Sequence, residues 1–314
     1  MTIETIDRQR RYVQEQKEKG NGLGVVFADA FLRGMRDLGY KNPAWALAEM
    51  MDNAFQAAAG SVAIRFGFER GNKTEVKPDF VAICDDGNGM IPEMIGYAVR
   101  WGGTDREGDR KGFGRYGYGL PSSAVSLAKR YTVYSKPRDG EWHAVTVDID
   151  ELAAAASDLK KTEALLSPRP ATLPEWLLQA PKGDDALDLN SLKSGTVILL
   201  EDLDRLRSMG GWIKAESLRT KLLQHFGVIY RHWIPERRIV VDGRGAQSVD
   251  PLFLMEHARF STRLQYVRNA WRHASWRLRL PAERPGGCES VPRCCPRIFS
   301  MPIRCSTEWR PSPS

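Results

Sequence analysis

No apolar run in this 314-residue chain reaches the ~18 residues that a membrane-spanning helix needs. The opening stretch, MTIETIDRQRRYVQEQKEKG, is polar throughout and is not a signal peptide, so a cytoplasmic address and no membrane partner are expected. No lysine follows Lys221 and no aspartate follows Asp250. Eleven Arg against four Glu (Glu256, Glu283, Glu289 and Glu308) give residues 251–314 the whole net charge of +7, and the first 250 residues are balanced. Histidine is scarce, and His143, His225 and His232 show no metal-ligand spacing. Four of the five cysteines (Cys288, Cys294, Cys295 and Cys305) fall in the same tail, where an adjacent pair without C-x-x-C spacing fits zinc poorly. The pattern G-x-x-x-x-G-K-[ST] is absent, which disfavours the P-loop class of nucleotide-binding proteins.

What is present is the composition of a globular protein, 42% hydrophobic and 27% charged, long enough for one or two domains. The tail from residue 255 has three readings: an arginine-rich arm for nucleic acid, only weakly supported; a cysteine metal site, which the spacing fits poorly; or a stretch that is not a selected fold, for which a disordered basic tail is the plainer equivalent. Arg, Pro, Ser, Cys and Trp without Lys or Asp is what a shifted reading frame of GC-rich DNA tends to encode. The third reading is therefore favoured, and it implies truncation of a longer protein somewhere after Phe253 or Leu254.

Residues 1–24 read as a polar arm. Phe27 to Leu38 reads as an amphipathic helix, and Asn42-Pro43 opens a second, AWALAEMMDNAFQAAAG, that stops at Gly60. Its Glu49 and Asn53 lie one turn apart on one face, with Asp52 beside them: either a solvated stripe, or polar groups aimed at something polar. SVAIRFGF alternates as a strand, and Phe80 to Cys84 is a continuous apolar strand running into Asp85-Asp86-Gly87-Asn88-Gly89-Met90. That junction is an Asp-Gly turn, or a carboxylate at a strand's C-terminal edge, suited to a donor such as an adenine amino group. Cys84 reads as core. A short helix from Pro92 to Val99 and a polar, Gly-rich lid from Arg100 to Lys111 lead into GFGRYGYGLPSSA. There Gly112, Gly114, Gly117 and Gly119 precede a helix, an arrangement whose N–H groups suit phosphate. Further on, Tyr131 to Lys136, EWHAVTVDID, Thr196 to Leu200 and Arg238 to Val241 read as strands, Ala215 to Phe226 as a helix, and residues 151–190 as a motif-free insertion.

In order, Glu-x-x-x-Asn on a helix, Asp-x-Gly-x-Gly-Met after a strand and a lid closing on Gly-x-x-Gly-x-Gly resemble the GHKL superfamily of gyrase B, heat-shock chaperone, histidine kinase and MutL ATPases. EMMDNAFQA resembles its N-box, CDDGNGM and GRYGYGL its glycine boxes, and SGTVILLEDLD its threonine-bearing strand. The likeness covers roughly residues 25–250. It implies an α/β class, two-layer sandwich of the Bergerat type: a mixed sheet with helices on one face, an ATP-binding domain at 25–205 and the start of a second, transducer-like domain at 206–254.

The resemblance further implies that Glu49 activates the attacking water, Asn53 coordinates Mg²⁺, Asp85 accepts from the adenine amino group and Thr196 helps through water. Gly87 and Gly89 would let the nucleotide lie against backbone, with Met90 packing on the base. Gly114, Arg115, Tyr116, Gly117, Tyr118, Gly119 and Leu120 would wrap the phosphates. Arg110, Lys111 and Arg115 add positive charge there, or are solvated lid residues. Histidine kinases lack the equivalent of Glu49, and GRYGYGLPSSA is more similar to chaperone and Microrchidia (MORC) forms than to MutL. The expected function is Mg²⁺-dependent ATP binding and hydrolysis, with lid closure driving a homodimer in a DNA-transaction, defence or chaperone-like role. The alternative is a nucleotide-binding regulatory module without turnover, since the lysine expected from a second domain is missing after Lys221.

Overall fold

The computed structural model describes residues 28–69, 77–103, 117–156, 158–208, 211–252 and 259. Its centre is a mixed sheet of eight strands. These are β1 (Ser61–Gly67), β2 (Phe80–Asp85), β3 (Arg130–Lys136), β4 (His143–Asp148), β5 (Arg169–Pro170), β6 (Gly195–Glu201), β9 (Arg238–Val241) and β10 (Arg244–Gly245), in the order β10-β9-β1-β2-β6-β3-β4-β5. Every neighbouring pair is antiparallel except β1 and β9. A separate two-stranded ribbon joins β7 (Arg207–Ser208) and β8 (Gly211–Trp212).

Successive side chains of a strand point to opposite faces, so each strand divides its apolar residues between two layers. On one face Val62, Ile64, Val81, Ile83, Tyr131, Val133, Ile198 and Leu200 form one buried core with the helices. Those helices are α1 (Ala28–Leu38), α2 (Pro43–Gln56), α3 (Pro92–Ala98), α4 (Gly119–Leu127), α5 (Ile149–Ala155), α6 (Leu159–Leu165) and α7 (Ala215–Ile229). This is the α/β sandwich expected, with helices on one face. The stretch read as a motif-free insertion contributes α6, β5 and a cover for the other face. Leu173, Leu177, Leu187 and Leu189 pack there on Ala63, Ala82, Cys84, Val197 and Leu199. Arg65 pins that cover: its guanidinium donates to Asp185 Oδ2 at 2.9 Å, to the Leu177 carbonyl at 3.0 Å and to the Leu187 carbonyl. A buried cation paired and bonded in this way does not carry the full desolvation cost of an isolated one.

Helix α2 starts where its cap dictates. The Asn42 side chain accepts from the N–H groups of Ala44 and Trp45, and Pro43 occupies the first turn, where its missing N–H costs nothing. It ends at Gln56, short of Gly60, because Ala58 turns into the left-handed region at φ 62°. The Ala59 N–H then reaches the Ala54 carbonyl at 3.1 Å and the Ala58 N–H reaches Phe55, the paired bonds of a Schellman end.

Residues 215–245, where the sequence predicts the start of a second domain, extend the same sheet and clasp α2. β9 pairs in register with β1, from Ser61 opposite Arg238 to Ile64 opposite Val241. Tyr230 and Trp233 each set a ring edge-on to Phe55 of α2, and Arg237 donates to the Phe55 carbonyl at 3.1 Å. Among the described residues no helix is long and apolar enough to cross a membrane.

Candidate functional site

Three polar residues interrupt the apolar rows on the helix-facing side of the central strands. Along β2 the row runs Val81, Ile83, Asp85; along β3, Tyr131, Val133, Ser135; along β6, Leu200, Ile198, Thr196. The register sets them side by side, since Thr196 lies opposite Asp85 on one flank and opposite Ser135 on the other. They form one polar row at the end of the sheet, beside a cavity of about 490 Å³. Helix α2 gives the cavity Met50, Asn53 and Ala57; the turn after β2 gives Asn88, Gly89, Met90 and Ile91; α3 gives Met94 and Ala98; β6 gives Thr196 and Ile198. Gly103, Gly117, Gly119 and Leu120 complete the wall.

Asp85 is 4% exposed and lines this cavity. Its Oδ1 accepts the Gly87 N–H at 2.9 Å. Burial disfavours its charged form and raises its pKa to about 7, against the lowering effect of the Gly87 and Thr196 N–H groups and with a smaller upward push from Asp86. Asp86 faces elsewhere: its Oδ1 accepts from Gly60 and Ser61 at 2.8 Å and ties β2 to the start of β1. Gly89 sits at φ +65°, and a Cβ there would run into the carbonyl of Lys136, so only glycine brings this turn so close to β3. Met90 is tied to the same strand, its N–H donating to Ser135 Oγ at 2.9 Å.

At the other end, Glu49 and Asn53 project from α2 one turn apart. A Cβ on Gly119 would collide with the Glu49 carboxylate, so the glycine is what admits the acid beside the first turn of α4. Burial, then the Asp52 carboxylate, raise the Glu49 pKa. Burial also raises that of Asp52, offset by the Tyr230 hydroxyl, which donates to Asp52 Oδ1 at 2.7 Å and lies 2.9 Å from the Ala48 carbonyl. The Tyr118 side chain at the N-cap of α4 makes no capping hydrogen bond, and Gly119 and Leu120 bring N–H groups to that first turn, an arrangement suited to an anion. Among the described residues no group of three or more His, Cys, Asp or Glu is arranged to hold a metal ion.

Of the residues singled out from the sequence, Asn53, Asp85, Gly89, Met90, Gly117, Gly119, Leu120 and Thr196 line the cavity. Gly87 stands behind Asp85, and Glu49 abuts Gly119. Tyr118 is 48% exposed and is not part of the lining. Gly114, Arg115, Tyr116, Arg110 and Lys111 lie outside the described residues. Sequence reasoning misses Ser135 and Tyr230. The signal for Ser135 is a hydroxyl at a core-facing position of YTVYSK, where the alternation calls for an apolar side chain.

Comparison with curated proteins gives no match to this chain. A family model, described as histidine kinase-, DNA gyrase B-, and HSP90-like ATPase, matches residues 40–170, which run from just before α2 to β5 and include Glu49, Asn53, Asp85 and the glycine-rich stretch. A domain of this kind implies ATP binding. With that match laid over an α/β sandwich whose cavity sits at the Asp85 end of the sheet, residues 40–170 form a domain similar to the histidine kinase-, DNA gyrase B-, and HSP90-like ATPases.

Proposed function

We propose that this protein binds ATP with Mg²⁺ and hydrolyses it to ADP and phosphate. The observation that carries the reading is the pairing of a buried acceptor, Asp85, at one end of the cavity with a carboxylate, Glu49, wedged against Gly119 at the start of α4 at the other. Adenine goes to the Asp85 end, where Met50, Met90, Met94 and Ile198 supply apolar contact and the carboxylate accepts from the exocyclic amine. The phosphates go to the Gly117–Leu120 turn, where N–H groups and the helix dipole favour negative charge.

The donor set fits Mg²⁺ held mainly by substrate: Asn53 offers a single amide oxygen, and triphosphate and water supply the rest. Mg²⁺, when bound, neutralises phosphate charge and polarises the phosphorus centre. Glu49, made more basic by burial and by Asp52, orients a water molecule and takes its proton as the water oxygen bonds to the γ-phosphorus and the bond to the β–γ bridging oxygen breaks. Asp52, held in place by Tyr230, tunes Glu49. The N-box, glycine boxes and lid support nucleotide-dependent closure and homodimerisation in the wider role expected from the sequence.

A second reading, ATP binding without turnover, is favoured by one observation: no Lys or Arg is among the described residues lining the cavity. The Glu49→Ala variant separates the two. Hydrolysis predicts phosphate release by the wild type that drops by about two orders of magnitude or more with ATP binding intact. Binding alone predicts no phosphate release from either protein.

A further inference from the structure

We infer that Ser135 fixes the hydrogen-bond polarity of Thr196, so that the base end of the cavity meets a purine's 6-position with acceptors alone and selects a 6-amino over a 6-oxo base. The inference rests on the ATP-binding reading above and assigns specificity to a residue outside the sequence motifs.

Ser135 is fully buried and its Oγ has three polar neighbours: the Met90 N–H at 2.9 Å, the Gly195 carbonyl at 3.1 Å and Thr196 Oγ1 at 2.9 Å. A hydroxyl has one proton to give and two lone pairs to receive with. The amide can only donate and the carbonyl can only accept. Met90 therefore uses one lone pair and Gly195 takes the single proton. The third contact is satisfied only if the Thr196 hydroxyl donates to Ser135. The opposite orientation would leave Ser135 Oγ and the Gly195 oxygen facing each other in the interior with no hydrogen between them, which buried polar groups avoid.

Thr196 lines the cavity, and with its proton committed to Ser135 it has only lone pairs to present there. Asp85, its partner across β2, already uses one oxygen on Gly87 and, ionised, has no proton to give. An exocyclic amine donates directly into this pair. A 6-oxo group brings a third acceptor to two others, and sites built around buried polar groups reject a ligand that leaves them unpaired.

The test measures ATP and inosine triphosphate binding, with Mg²⁺ at pH 8, to the wild type, Ser135→Ala and Thr196→Val. Inosine triphosphate differs from ATP by a 6-oxo group and the accompanying N1–H. The wild type is expected to prefer ATP. In Ser135→Ala the Thr196 proton is free to turn into the cavity, and the preference should fall about tenfold, the worth of one hydrogen bond, chiefly through tighter binding of inosine triphosphate. A packing defect alone would weaken both ligands. Thr196→Val, which keeps the side-chain shape, should lower the preference by weakening ATP. An unchanged ratio in either folded variant, beside a wild type that prefers ATP, overturns this inference alone. A folded wild type that binds neither nucleotide overturns the ATP reading and this inference with it.

Discussion

At Asp85 the cost of burying a carboxylate exceeds what two backbone N–H groups return, and the acid rises to about 7. A folded-state pKa above the usual ~4 of an unfolded Asp means that the folded protein holds a proton the unfolded chain has released. The resulting contribution to stability is full below pH ~4 and is lost as pH rises through about 7. Asp85→Asn keeps an oxygen for the Gly87 N–H and removes the titrating group. The ligand-free variant should therefore match the wild type near pH 4. At pH 8 it should exceed it by up to about 4 kcal/mol, since each tenfold change in proton affinity is worth ~1.4 kcal/mol. Denaturant unfolding at the two pH values measures this, and a variant less stable than the wild type at pH 8 would contradict it. The same variant should lose ATP binding, because the amide brings a donor to face the adenine amine. Stability and function pull in opposite directions at this residue, as is common where a site is kept charged inside a core.

Helix α2 carries Glu49, Asp52 and Asn53, and its two ends are fixed in different ways. The N-terminal end is local and legible in the sequence: Asn42 caps and Pro43 starts. The C-terminal end is tertiary. The sequence predicts a glycine stop, yet Ala58 takes the left-handed turn, in a segment where the Ala57 carbonyl accepts the Asn88 N–H at 2.8 Å and a Cβ on Gly87 would press on that same carbonyl. Ala58→Gly should relieve the strain and raise stability by about 1 kcal/mol in urea unfolding, and a loss of stability would contradict this account of the helix end.

The strands divide in the same way. Runs such as Phe80 to Cys84 declare themselves, and Asp85 stands out because it closes an apolar run with a charge. Ser135 shows in the sequence only as a hydroxyl out of step with the alternation, because its importance comes from a row across β2, β6 and β3 that only strand register creates. The cover formed by Leu173, Leu177, Leu187 and Leu189 is equally hidden, having no period of its own and a partner, the far face of the sheet, supplied by other segments.

Across the whole molecule, every described residue lining the cavity lies between Met50 and Ile198, and the elements that clasp α2 end by residue 245. Removing residues 260–314, where much of the excess arginine lies, should leave ATP affinity within about twofold of the full chain, since no described lining residue is lost. Any salt-sensitive nucleic-acid binding by the full chain should disappear with it. Calorimetry and a salt titration read the two effects separately, and loss of ATP binding on this deletion would place part of the nucleotide site in the tail.

The most direct test of the central claim is calorimetric titration of ATP with Mg²⁺ into the wild type and Glu49→Ala, with phosphate release followed on the same samples. One ATP site is expected in both proteins, with turnover in the wild type alone. Absence of ATP binding by a folded wild type, or phosphate release undiminished in Glu49→Ala, would contradict it.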